Sequence, residues 1–120
     1  MKLKDFDFRI WDNGKYHYPL KINNGIVETN FKIGLNDEIE LFTGLYDKKG
    51  KKVYENDIVK VKSLYDHFLA KIRIHKAGTF YFERKNGDYL GSLHYLVEDK
   101  GYTIETIGNI HENKELLEGE

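Results

Sequence analysis

The chain has 120 residues, of which 32% are charged and 40% apolar, with a formal net charge of −1; this is the size and composition of one folded domain, not of a disordered tail. It has no cysteine, which excludes disulfides, thiolate metal sites and a cysteine nucleophile. A near-neutral charge gives no overall field toward nucleic acid or anionic lipid, and no apolar run approaches the roughly 20 residues of a membrane-spanning helix.

The opening residues, Met1 to Asp7, are charged and lack the apolar middle of a signal peptide, so a cytoplasmic protein is expected. Seventeen aromatics and a single proline, with short apolar runs broken by Gly or Asn, favour strands. Phe6, Phe8 and Ile10 alternate with Asp7 and Arg9, the period of a half-buried strand. Asp12-Asn13-Gly14 reads as a hairpin turn, because Asn and Gly accept positive φ at low cost. Tyr16 to Tyr18 returns, and Pro19 keeps that strand short or at an edge. Asn23-Asn24-Gly25 is a second turn, followed by a strand over Ile26 to Phe31. Residues 32 to 38 read as a loop and as the boundary between an N-terminal arm and the main barrel.

Leu41 to Tyr46 is the next strand. Asp47-Lys48-Lys49-Gly50 places Asp where a type I turn wants a side-chain acceptor and Gly where a G1 bulge wants a left-handed residue. Lys51 to Tyr54 pairs back, Glu55-Asn56 turns, and Asp57 to Val61 is a strand. Phe68 to His75 and Phe80 to Glu83 form a hairpin around Lys76-Ala77-Gly78-Thr79, and Asn86-Gly87 turns at its far end. Leu90, Leu93, Leu96 and Val97 have helical spacing, with Ser92 as a cap. Tyr102 to Ile107 is a final strand, broken by Gly108-Asn109, and His111 to Glu118 is a polar tail with one helical turn.

Two segments carry a resemblance. Thr43-Gly44-Leu45, Asp47, Gly50-Lys51, Tyr54-Glu55 and Asp57-Ile58-Val59 stand at the spacing of the signature of the YopX-like proteins of phages and prophages. Ile107-Gly108-Asn109-Ile110, Glu112-Asn113 and Leu116-Leu117 resemble the ending of that family, and Phe8-Arg9 with Trp11-Asp12 resembles its opening. Where the family has glycine between Glu and Asp, this chain has Asn56, the residue that best tolerates a left-handed backbone after glycine. The resemblance implies a mostly β protein whose C-terminal part is an SH3-like barrel or roll. It brings no catalytic motif. Thr43, Gly44, Asp47, Gly50, Tyr54, Asn56, Asp57, Gly108 and Asn109 are accordingly read as a fold signature.

Other chemistry fares poorly. A calcium loop starting at Asp47 needs oxygen ligands at alternate positions, but 49 and 51 are lysines, so Asp47, Glu55 and Asp57 read as turn caps. His17, His67, His75, His94 and His111 show no zinc spacing. His67 beside Asp66 lacks the converging geometry of an acid–base pair. Ser63 and Ser92 lack a nucleophile-elbow context, and Gly44, Gly50 and Gly108 are too dispersed for a phosphate loop. Trp11, Tyr16, Tyr18, Tyr81 and Tyr95 suggest either a subunit interface or a stacking platform for single-stranded nucleic acid. Lys60, Lys62, Lys71, Arg73 and Arg84 would flank the platform. Only three of nineteen basic residues are arginine, which favours the interface.

The expected protein is therefore mainly β: an N-terminal β arm over residues 1–38, and an SH3-like barrel over residues 39–120 with one or two short helices. It is expected to be a non-enzymatic binding or structural module, without cofactor or metal, acting as a homo-oligomer. A nucleic-acid-binding accessory protein using the barrel face is the alternative, and a metal-dependent or hydrolytic enzyme a remote one. Any small-molecule ligand is left unidentified.

Overall fold

The computed structural model describes residues 2–28 and 32–118. The chain divides into two compact units, Met1–Phe42 and Thr43–Glu120, and is mainly β with few helices. Among the described residues no helix is long and apolar enough to cross a membrane.

In the first unit a 3-10 turn, Leu3–Asp5, leads into β1 (Phe8–Asp12), which pairs antiparallel with β2 (Lys15–His17). Asn13 and Gly14 join them with φ of 52° and 78°, the left-handed pair that an Asn-Gly hairpin turn requires. The other edge of β1 pairs with the first residues of β5 (Ile39–Tyr46), Phe8 opposite Leu41 and Ile10 opposite Ile39. A second hairpin, β3 (Lys21–Asn23) with β4 (Ile26–Glu28), turns through Asn24 and Gly25 in the same way. The end of the expected Ile26–Phe31 strand, residues 29–31, lies outside the described residues. The loop that follows is closed by Asp37: its carboxylate accepts from the Gly34 N–H at 2.8 Å.

One expectation for β1 is overturned. Alternation puts Arg9 on a solvated face opposite Ile10, yet Arg9 is 3% exposed and Ile10 1%. Both faces of the strand are covered at this point, and Arg9 reaches Glu40, its cross-strand neighbour on β5.

The second unit continues β5 and adds β6 (Lys52–Tyr54), β7 (Asp57–Lys62), β8 (His67–Ile74), β9 (Phe80–Glu83), β10 (Tyr89–Ser92), β11 (Thr103–Asn109) and the helical turn α1 (Glu115–Glu118). Five strands form an antiparallel sheet in the order β10-β9-β8-β7-β11, curled into a half-barrel. By register one face carries Val59, Val61, Ala70, Ile72 and Phe82, and these and Leu93, just after β10, are all fully buried. Ile58 is buried as well, so the start of β7 is covered on both faces. Burial of these side chains contributes roughly 1.5–3 kcal/mol each, and is the main favourable term.

Two boundaries differ from the sequence reading. Leu90 belongs to β10, not to a helix; the helical segment starts at Leu93 and His94 and continues as the π-helical turn Tyr95–Asp99, so Leu93, Leu96 and Val97 lie on it as the spacing predicts. Gly91 stands at the corner with φ of 135°, and a Cβ there would come within 2.8 Å of Leu96. The strand therefore folds tightly onto the helical segment that follows. Ser92 accepts from the Tyr95 N–H at a long 3.4 Å. Second, Gly108-Asn109 does not break β11. The strand runs through Asn109, and a register shift between Thr106 and Gly108 takes up the extra residue as a bulge. Gly108 is needed for space: a Cβ there would lie 2.7 Å from Asn113 Cβ.

Candidate functional site

The signature residues all lie in the second unit, and the side chains of Thr43, Asp47, Asp57 and Asn109 bond to the backbone. Asp47 is 6% exposed. Its Oδ1 accepts from the N–H groups of Lys49 and Lys51, both at 2.9 Å, and its Oδ2 from the N–H of Thr106 at 3.0 Å. Burial raises the pKa of this carboxyl, but the three donors, Thr106 first, outweigh it and hold the group below its ordinary value. Gly50 completes the turn with φ of 83°. Thr43 Oγ1 donates to the Val53 carbonyl at 2.8 Å. Asp57 Oδ2 accepts from the N–H of buried Tyr54 at 2.8 Å. Asn56 takes up φ of 70°, and its side-chain oxygen accepts from Arg73 Nη1 at 2.6 Å. Asn109 Oδ1 caps the last turn, accepting from the N–H groups of His111 and Glu112. Gly44, with φ of 87°, lies beside His94, whose Nε2 is 2.8 Å from the Thr43 carbonyl oxygen and donates to it.

Among the described residues no group of three His, Cys, Asp or Glu side chains converges to hold a metal. Asp66 Oδ1 accepts from the backbone N–H of its neighbour His67, and Ser63 Oγ accepts from the Asp66 N–H, so both serve the loop before β8.

The aromatic candidates fall into separate groups. In the first unit Trp11 meets Tyr16 edge-on at 4.9 Å, and Tyr16 lies 6.3 Å from Tyr18. Beneath them is a pair that pattern reading missed. Arg9 Nε donates to Glu40 Oε1 at 2.8 Å, with both side chains about 5% exposed or less. The Tyr16 hydroxyl donates to the same oxygen at 2.9 Å, and the Arg9 guanidinium sits 3.9 Å from the centre of the Tyr16 ring. Fork, carboxylate and ring together satisfy an ion pair that would otherwise be costly to bury.

In the second unit Tyr81 lines an open groove of about 610 Å³ with His75, Thr79, Gly87 and Tyr89. Burial and the Glu83 carboxylate, which accepts the Tyr81 hydroxyl at 3.2 Å, push the Tyr81 phenol up. Arg73 is the cross-strand neighbour of Tyr81. Arg84 opens the β9–β10 turn, its N–H donating to the Asp88 carbonyl. Tyr95 stands apart on the π-helical turn, with the Lys100 ammonium 5.6 Å from its ring centre. His75 and Tyr89 were not singled out from sequence, because only the pairing of three strands brings them beside Tyr81. A second, smaller hollow of about 240 Å³ collects Lys48, Lys60, Lys62 and His67 around Glu105. Lys49, 3.0 Å away, with Lys48 and Lys60, holds the Glu105 carboxyl below its ordinary value.

No curated protein matches the chain. The family described as YopX protein matches residues 7–118, from the lead into β1 to the end of α1. The chain therefore belongs to the YopX protein family.

Proposed function

We propose that this YopX protein is a phage- or prophage-encoded, non-enzymatic module of the cytoplasm that works by binding and assembles with copies of itself through residues 1–38. Residues 39–120 are read as an SH3-like barrel, to which the curled antiparallel sheet of the second unit lends support.

The observation that carries the self-assembly reading is the exposed aliphatic surface of the arm. Ile22 and Ile26 are 67% and 62% exposed, and Leu35 and Ile33 are also uncovered. Among the described residues the second unit exposes chiefly tyrosines in their place, with Leu64 the one large aliphatic. Moreover, β3 and β4 form a sheet of two strands with no buried residue. An isolated two-stranded hairpin is marginal in water, and a second copy supplies both strand partners and apolar cover. The non-enzymatic reading is supported by the use of the signature carboxylates as backbone caps.

Light scattering on a sizing column tests the assembly. An oligomer at micromolar concentration, converted to monomer by Ile22→Lys with Ile26→Lys, is the expected result; a clean wild-type monomer refutes it. The genes neighbouring this one test the phage origin.

A further inference from the structure

We propose that the outer face of β8, β9 and β10 is a stacking groove for the bases of a single-stranded nucleic acid. Three rings line it. Tyr81 and Tyr89 are 5.3 Å apart between centroids at 41°, and His75 is 6.2 Å from Tyr81. Tyr89 is 64% exposed, so a flat ligand reaches its face without disturbing the core. Gly87 forms part of the rim, and a side-chain carbon at that position would meet nothing within 4 Å. The groove is therefore open at this rim, where a strand can enter.

Charge points the same way. Between residues 71 and 89 there are five Lys or Arg (Lys71, Arg73, Lys76, Arg84, Lys85) and two carboxylates (Glu83, Asp88), a local charge of +3 in a chain of −1. Glu83 is itself compensated, 3.0 Å from the Lys71 ammonium. Arg73 stands opposite Tyr81 in the register and Lys76 follows His75, and exposed rings with cations on neighbouring positions are the combination that binds single strands, since every base has a π-face and every linkage a phosphate. A duplex hides its bases from such rings. Among the described residues the groove is lined by His75, Thr79, Tyr81, Gly87 and Tyr89, with no large aliphatic side chain, which separates it from the exposed Ile22 and Ile26 of the arm. The inference is independent of self-assembly, because its residues all lie in the second unit.

The test is fluorescence anisotropy of a labelled oligothymidylate, roughly 20 nucleotides long to exceed one barrel's site, titrated with the full chain at low and at physiological salt. Binding that weakens as salt rises is expected. Tyr89→Ala should weaken it about tenfold, the loss of one stacked base. Tyr89→Phe should retain it, and Lys76→Glu with Lys85→Glu should weaken it and flatten the salt dependence. Tyr65→Ala serves as control: Tyr65 is 93% exposed and lies outside the groove. Absence of binding at low salt overturns the proposal. So does equal affinity of wild type and Tyr89→Ala, an equal loss in Tyr65→Ala, equally tight binding of the duplex, or a proline-rich peptide perturbing these residues where the oligonucleotide does not.

Discussion

Replacing Glu40 by alanine removes the anion beside Arg9 and leaves a guanidinium buried to 3% exposure. Breaking a buried ion pair from one side costs about 3–5 kcal/mol. The Tyr16 hydroxyl loses its acceptor as well, worth about 1 kcal/mol, while the Tyr16 ring 3.9 Å from the guanidinium is there before and after and cancels. The net loss is about 4–6 kcal/mol, a large share of a typical domain's stability. With a urea slope of about 2 kcal/mol per molar, the midpoint falls by roughly 2–3 M. The only tryptophan, Trp11, packs on Tyr16 and reports the transition by fluorescence. The complementary variant, Arg9→Met with Glu40→Leu, removes both charges and should stay within about 1 kcal/mol of wild type. If Glu40→Ala lost less than 1 kcal/mol, or the apolar double variant lost as much as the single one, the account of this pair would be wrong.

Asp47→Asn keeps one oxygen but turns an NH2 toward one of the backbone donors, and should cost about 2 kcal/mol at neutral pH by urea unfolding. The folded carboxyl is held below its ordinary 3.8, so its contribution is complete above that value and lost as pH falls through the lower folded value; the gap between wild type and variant should close below about pH 4, and a gap independent of pH would refute this. Asn56→Ala places an alanine at φ of 70° and should cost about 1–2 kcal/mol of backbone strain besides the Arg73 contact. Asn56→Gly should lose only that contact, and equal melting temperatures for the two variants would contradict the reading. Gly108→Ala drives a Cβ into Asn113 and should cost about 1–3 kcal/mol by thermal unfolding.

Local turn chemistry is what the sequence displays best. Asn13-Gly14, Asn24-Gly25 and Asp47–Gly50 each state a turn in adjacent residues, because positive φ is a property of the residue that adopts it. Long-range burial is not displayed in this way. Arg9 alternates with apolar neighbours and so reads as solvated. The pairing with Glu40, 31 residues on, and the Tyr16 ring cover its face. Leu90 misleads for a related reason: a strand that turns sharply at Gly91 onto a helical segment places it ahead of Leu93 and Leu96 at a spacing that continues the helix. Tyr81, Arg73 and Arg84 were visible as candidates. Their companions His75 and Tyr89 were not, since three strands must pair before the rings meet.

The signature's two segments are joined across the fold, and this bears on where function lies. The Thr106 N–H reaches Asp47 Oδ2, the Lys48 N–H reaches the Ile104 carbonyl, and the Ile110 N–H reaches the Asn56 carbonyl. Asn109 pairs opposite Asp57 in the register of β7 and β11. A turn that also fastens the strand at the sheet's edge has its polar groups already engaged, and a substrate drawing on them would undo the joint. The signature and the binding surfaces should then separate in experiment. Changes at Asp47 or Gly108 should shift the unfolding midpoint and leave the oligonucleotide affinity of the folded protein unaltered. Tyr89→Ala should do the converse, because its side chain stands on the open face of the sheet. A variant at Asp47 that folds as well as wild type yet loses affinity would place the signature in the binding site after all.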